Sequence, residues 1–217
     1  MDRADILTDI VDLASELRVP VTEVGRGKLD SLSHTDAPQG IIARAAELPE
    51  TELEGLCEPQ AEQPPFLLAV DGVTDPGNLG ALLRIAECAG VTGVVLPRHR
   101  AVHVTPTAAK AAAGAIEYLP MTLVGGLPTA IESMKAAGVW TVGLDAGGET
   151  SIHDLGQWSD SGVCLVLGAE GRGLSRLVRQ RCDLVASIPL HGRLASLNVA
   201  SAGAVACYEI ARRRTTP

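Results

Sequence analysis

Apolar residues recur at three- and four-residue spacing at Ile6, Ile10, Leu13 and Leu17, which predicts an amphipathic helix over residues 5–18. VPVTEVG (19–25) and GIIARA (40–45) read as short strands on either side of a turn-rich SHTDAPQG (33–40). From 47 to 65 the period fades and the chain turns acidic and proline-containing, as a linker does. At residue 66 the pattern changes. FLLAV (66–70), GVVLP (93–97), WTVGL (140–144), VCLVLG (163–168) and LVASIPL (184–190) are nearly continuous apolar runs rather than alternating ones. Helical stretches are expected at 78–89, 107–114, 128–137, 174–181 and 196–213, with a short apolar piece near Tyr118. Strands apolar on both sides, separated by helices, predict an α/β fold with a parallel sheet covered on both faces. Such sheets place their sites in the loops at the carboxyl ends of the strands.

At 217 residues the chain suits one ordinary domain, or one plus a small appendage. An apolar fraction of 46% argues against disorder. No run approaches the length of a membrane span, and no basic-then-apolar signal segment opens the sequence. Cys57, Cys88, Cys164, Cys182 and Cys207 are scattered without C-x-x-C spacing, which points to a reducing, cytoplasmic compartment and against a metal site.

The formal net charge of −8 speaks against a nucleic-acid partner, until the chain is divided. Residues 1–62 hold 14 acids and 5 bases; residues 63–217 hold 12 acids and 13 bases. Two stretches of the second part are basic without any acid: Arg98, His99, Arg100, His103 and Lys110, then Arg172, Arg176, Arg179 and Arg181. Arg212, Arg213 and Arg214 lie close to the end. Solvated surface and phosphate contact both fit such clusters.

Three segments after strands depart from what packing alone asks for. In DGVTDPGNLGALLRIAECAG (71–90), Asp75-Pro76-Gly77 forms a turn and Asn78 is placed to cap a helix that carries Arg84 between Leu83 and Ile85. A charge in that apolar setting is paired or functional. In LGAEGRGLS (167–175) three glycines let a backbone approach a ligand closely, although a plain tight turn also fits. Its order is G-x-x-G-x-G, which does not support a nicotinamide site. In SIPLHGRLASLNVASAGAVACYEI (187–210) a polar loop leads to a helix rich in small residues, with Ser196 a natural N-cap.

Together, DPGNLGALLRIAECAG, LVLGAEGRGLS and IPLHGRLASLNVASAGAVACYEIARR resemble, in order and spacing, the three motifs of the SpoU–TrmH class of RNA ribose 2′-O-methyltransferases. KAAAGAIEYLP (110–120) is similar to the segment between that class's first two motifs, and the resemblance covers roughly residues 65–214. GKLDSLSHTDAPQGIIARA (27–45) resembles the end of the small RNA-binding domain of the ribosomal-RNA members, with Pro38 where a histidine commonly precedes Gln39-Gly40. The resemblance implies a partial substrate-binding domain at 1–46, lacking that domain's first strand and helix, a linker at 47–64, and a methyltransferase domain at 65–217.

The resemblance also implies a C-terminal trefoil knot, a homodimer, and S-adenosylmethionine bound in the knotted loops. Gly168, Ile188 and Leu197, with Leu144 and Gly171, would line that pocket. It assigns Arg84 to the ribose hydroxyl, supported by Asn78, Glu170, Ser196 and Asn198, with Glu170 and Asn198 holding the guanidinium. Arg98, Arg100, Arg172 and Arg176 are the candidate phosphate contacts. The expected substrate is RNA, a guanosine of large-subunit ribosomal RNA ahead of transfer RNA. A non-catalytic RNA-binding or assembly protein of the same fold is the rival reading.

Overall fold

Every residue of FLLAV is buried, and this run forms an interior strand of the sheet, β1 (Phe66–Asp71). The computed structural model describes residues 3–33, 40–60, 63–99, 104–156 and 161–215, which divide into two units, Met1–Leu48 and Pro49–Pro217.

The first unit holds α1 (Arg3–Glu16) and α2 (Arg26–Leu32). The expected helix is present. The strands expected at 19–25 and 40–45 are not: both stretches are irregular, and α2 stands where no helix is expected. A strand needs a neighbour to satisfy its backbone groups, and none pairs with them among the described residues. The apolar stripe of α1 is exposed, Ile10 at 38% and Leu13 at 54%, and so is Leu17 just beyond the helix.

In the second unit the chain from residue 49 onward differs from a free linker. Thr51 N donates to Met121 O at 2.8 Å. The short α3 (Leu53–Leu56) buries Leu56 in the core. After β1 come α4 (Pro76–Cys88), β2 (Gly93–Pro97), α5 (Pro106–Ala112), β3 (Met121–Val124), α6 (Leu127–Ala136) and β4 (Val139–Leu144). Then follow β5 (Thr150–Ser151), β6 (Gly162–Gly168), α7 (Arg176–Arg181), β7 (Leu184–Ser187) and α8 (Val199–Thr215). The seven strands are parallel, in the order β3-β2-β1-β6-β4-β7-β5.

The pleat sends alternate residues to opposite faces. Leu67, Ala69, Cys164 and Val166 pack with Ile131 and Met134 of α6, Leu56 of α3 and Val178 of α7. Leu68 and Val70, buried between them, face the other side, where α4 and α8 lie. Glycines set the close approaches there. A Cβ on Gly80 would meet Ala108 O at 2.3 Å, and one on Gly203 would meet Leu82 at 2.4 Å, so α4 sits directly on α5 and on α8.

Two helix starts differ from expectation. Asp75, not Asn78, caps α4, its carboxylate accepting from Asn78 N at 2.7 Å. Asp75 precedes a proline at the first helical position, so it holds the cap site. Ser196 is likewise not a cap, because α8 begins at Val199 and Asn198 Oδ1 accepts from Ala200 N at 2.9 Å and Ser201 N at 3.3 Å. The expected helix at 174 begins at Arg176, and the strand expected to reach residue 190 ends at Ser187.

Candidate active site

Three loops leave the carboxyl ends of neighbouring strands: 145–148 after β4, 169–175 after β6 and 188–198 after β7. Between them lies a cavity of about 230 Å³. Its walls include Leu144, Asp145, Leu167, Gly168, Glu170, Gly171, Ile188, Ser196, Leu197 and Val199. Leu144, Gly168, Gly171, Ile188 and Leu197, all expected around a cofactor, therefore share one wall system with Glu170 and Ser196.

The glycine-rich loop takes its shape from backbone that only glycine accommodates. Ala169 and Gly173 exchange backbone hydrogen bonds of 3.1 and 2.9 Å, closing a tight turn. Gly171 and Gly173 adopt φ of +75° and +64°. A Cβ on Gly168 would lie 2.2 Å from the carbonyl carbon of Gly173.

Asp145, which none of the three motifs contains, also lines the cavity. Its carboxylate accepts from Gly147 N at 2.9 Å, Leu174 N at 3.0 Å and Arg179 Nη1 at 2.7 Å. Burial pushes its pKa up, but the two backbone hydrogen bonds and the Arg179 guanidinium outweigh it and hold the acid below its ordinary value. The only signal in the sequence is an acid directly after an apolar strand and before Ala146-Gly147-Gly148.

Asn78, Arg84 and Asn198 lie off the cavity wall. Asn198 Nδ2 donates to Asn78 Oδ1 at 2.9 Å, which links α4 to the start of α8. Arg84 is exposed on α4, and among the described residues no hydrogen bond joins it to Glu170 or Asn198. Of the apolar neighbours that suggest a buried charge, Leu83 is fully buried and Ile85 partly so, while Arg84 itself is exposed.

The basic stretches are partly neutralised. Arg98 pairs with Glu50 at 2.7 Å and donates to Leu123 O. Arg179 pairs with Asp145 and Arg181 with Glu132. Arg172 and Arg176 are exposed and carry no ion pair among the described residues. Arg100 and His103 lie outside the described residues. Arg212 and Arg213 pair with Glu209, and Arg214 donates to the carbonyls of Pro64 and Ser161 with its guanidinium 5.5 Å from the Phe66 ring centre. Burial pushes the thiols of Cys182 and Cys207 up to about 12, which makes both poor nucleophiles.

Chemically, the apolar walls suit a flat aromatic ring, and backbone groups of the loops can read its edge. Glu170 on the rim suits a cationic centre. A cavity at the carboxyl ends of the strands of a parallel α/β domain is where such folds bind nucleotide-like ligands. The SpoU rRNA methylase family profile matches residues 65–208, and the profile for RNA 2′-O ribose methyltransferase substrate binding matches residues 2–51. The chain belongs to the SpoU rRNA methylase family.

Among relatives, the 23S rRNA (guanosine-2′-O-)-methyltransferase RlmB of Coxiella burnetii is 42% identical over 214 residues, covering 97% of this chain and 84% of that one. The TrmH family tRNA/rRNA methyltransferase YacO of Bacillus subtilis, itself assigned only provisionally, is 37% identical over 207 residues, covering 94% and 82%. Among solved structures, the SpoU methyltransferase AviRb of Streptomyces viridochromogenes in complex with AdoMet superposes with a TM-score of 0.76 at 28% identity, covering 91% of this chain and 76% of that one. Against a second structure of AviRb and the structure of a TrmH-family protein from Porphyromonas gingivalis, the chain spans slightly under two thirds of the matched length, 65% and 62%.

Proposed function

We propose that the protein is an S-adenosylmethionine-dependent methyltransferase that methylates a ribose 2′-hydroxyl in structured RNA, a guanosine of large-subunit ribosomal RNA. The observation that carries this reading is the cavity at the meeting of the second and third motifs, in a chain whose Coxiella relative bears that activity in its name. The residues present fit the cofactor. Leu144, Ile188 and Leu197 supply apolar faces, Gly168 and Gly171 leave backbone unobstructed, and Glu170 supplies a carboxylate in the lining that would suit the cofactor's positive charge. When bound, S-adenosylmethionine supplies an activated methyl group.

The protein's own tasks are then orientation and proton handling. Arg84 is permanently protonated and so serves as a donor that aligns the ribose hydroxyl and an adjacent phosphate, not as a base. Asn78 and Asn198 fix the relation between its helix and the third motif. Ser196 shapes the cavity mouth. Arg172 and Arg176 contact phosphates, and Arg98 and Arg100 are further candidates for that role.

Arg84 does not line the cavity of its own chain, which favours a homodimer in which one chain's Arg84 serves its partner's cavity. The exposed apolar residues Leu194, Val205 and Tyr208 are suited to the contact. Residues 1–46 act as a substrate-binding domain. Membership of the SpoU family favours a threaded C-terminal knot. Unpaired cysteines and the ribosomal substrate favour the cytoplasm.

The test is to map 2′-O-methylation in ribosomal and transfer RNA from a strain lacking the gene and from one complemented with wild type or Arg84→Ala. Loss and restoration of one methylated guanosine in large-subunit RNA is expected, with Arg84→Ala failing to restore it while still binding cofactor. Loss confined to transfer RNA overturns the substrate. Restoration by Arg84→Ala removes that residue from the mechanism.

A further inference from the structure

β6 lies between β1 and β4 in the sheet, and an aspartate stands at the carboxyl end of each of these neighbours. Asp71 ends β1, and its Oδ2 accepts from Ser175 N at 2.7 Å. Asp145 follows β4, and its Oδ2 accepts from Leu174 N at 3.0 Å. Two consecutive amides of the loop leaving β6 are thus gripped from opposite sides by two carboxylates.

The grip of Asp145 extends further. Its Oδ1 accepts from Gly147 N and from Arg179 Nη1, and Arg179 Nη2 donates to Gly147 O at 2.7 Å. This joins the loop after β4 to the loop after β6, the two loops that wall the cavity on that side. The fit leaves no slack, because a Cβ on Gly173 would lie 2.3 Å from Asp145 Oδ2. Hydrogen bonds from backbone amides to an ionised carboxylate are among the stronger ones available.

We propose that Asp71 and Asp145 are positioning residues, a pair of carboxylates that hold the glycine-rich loop in the shape that receives the cofactor, with Arg179 completing the hold on the Asp145 side. The proposal rests on the reading of this cavity as the S-adenosylmethionine pocket. It makes the two acids differ under the same substitution. Both oxygens of Asp145 accept, so the amide nitrogen of Asp145→Asn must face a donor wherever it turns. Asp71 has one backbone donor recorded, and the amide oxygen of Asp71→Asn can take its place.

The experiment is titration calorimetry of the full chain with S-adenosylmethionine and S-adenosylhomocysteine, for wild type and for D71A, D71N, D145A, D145N and R179Q. Amide hydrogen exchange at Leu174 and Ser175 is followed by NMR, and RNA binding is measured in parallel. D145A and D145N should weaken cofactor binding by about tenfold or more. D71A should weaken it too, and D71N should recover most of what D71A loses. The Leu174 amide should exchange faster in D145N. In turnover assays the KM for cofactor should rise far more than kcat falls, with RNA affinity retained.

Wild-type affinity and slow Leu174 exchange in D145N would overturn the clamp. So would parallel loss of cofactor binding, RNA binding and kcat, which marks a merely structural role. If the Asp145 variants do not fold, R179Q decides: raised cofactor Kd supports the proposal, and unchanged Kd overturns it. Failure of the wild type to bind S-adenosylmethionine strikes the cofactor reading instead.

Discussion

Asn78 and Asn198 stand 120 positions apart and share a 2.9 Å hydrogen bond, Asn198 donating. The same Asn198 side chain caps α8 through its other atom, accepting from Ala200 N and Ser201 N. One amide therefore ends the loop that walls the cavity, starts the last helix, and ties it to the first turn of the helix that carries Arg84. This is how the first and third motifs meet.

The two functions of that amide separate by substitution. Asn198→Ala loses the cap and the bridge, and should lower the melting temperature by about 2–4 °C. Asn198→Asp keeps an acceptor for the cap and should cost less. Asn78→Ala removes only the bridge and should also cost less than Asn198→Ala. Thermal denaturation of the three variants checks the order.

Gly168→Ala should abolish cofactor binding, since the added Cβ falls 2.2 Å from the Gly173 backbone and no rotamer relieves it. Gly171→Ala has open space around its Cβ but a φ of +75°, so it meets strain without a clash. It should weaken binding less. Calorimetry with S-adenosylmethionine ranks the two.

Much of the sheet was legible because β1 and β6 are buried on both faces and so carry uninterrupted apolar runs. β5 was not. It is two polar residues, Thr150 and Ser151, and exists only through pairing with β7. The glycine loop and the residues around the cavity were legible because glycine order and a family resemblance mark them. The clamp by Asp145 was not, since its partners Leu174 and Arg179 lie 29 and 34 positions away and nothing local announces them. For the same reason the basic stretch at 172–181 looked uniform in sequence. Arg179 and Arg181 are spent on Asp145 and Glu132, and only Arg172 and Arg176 stay available.

That division predicts how RNA binding responds to salt. Arg172→Ala and Arg176→Ala should each reduce the slope of log affinity against log salt by about one. Arg98→Ala should change it less, because Arg98 already pairs with Glu50. Filter binding across a salt series provides the slopes.

Glu209 links α8 to itself and to His153, and its carboxyl sits at about 2. The hydrogen bond from Arg212 is the main cause, opposed by burial and reinforced by Arg213. A folded pKa below the unfolded value of about 4.3 contributes stability that is present above the unfolded pKa and is lost as pH falls towards the folded one. The protein should therefore lose stability between about pH 5 and pH 2. Glu209→Gln should be less stable at pH 7 and show a shallower loss on acidification, measured by urea unfolding across that range.

Mixing two inactive proteins tests whether Arg84 acts in its own chain or across a dimer. Arg84→Ala leaves the cavity intact, and Gly168→Ala closes the cavity but leaves Arg84. If Arg84 serves the partner's cavity, a mixed dimer holds one complete site, formed by the cavity of the first chain and the arginine of the second. Random exchange makes half the dimers mixed, each with one of its two sites complete, so activity should return to about a quarter of wild type. If Arg84 serves the cavity of its own chain, no site in a mixed dimer is complete and activity stays at background. Methyl transfer to RNA after subunit exchange distinguishes the two, and background activity in a mixture shown to contain mixed dimers would exclude the shared site.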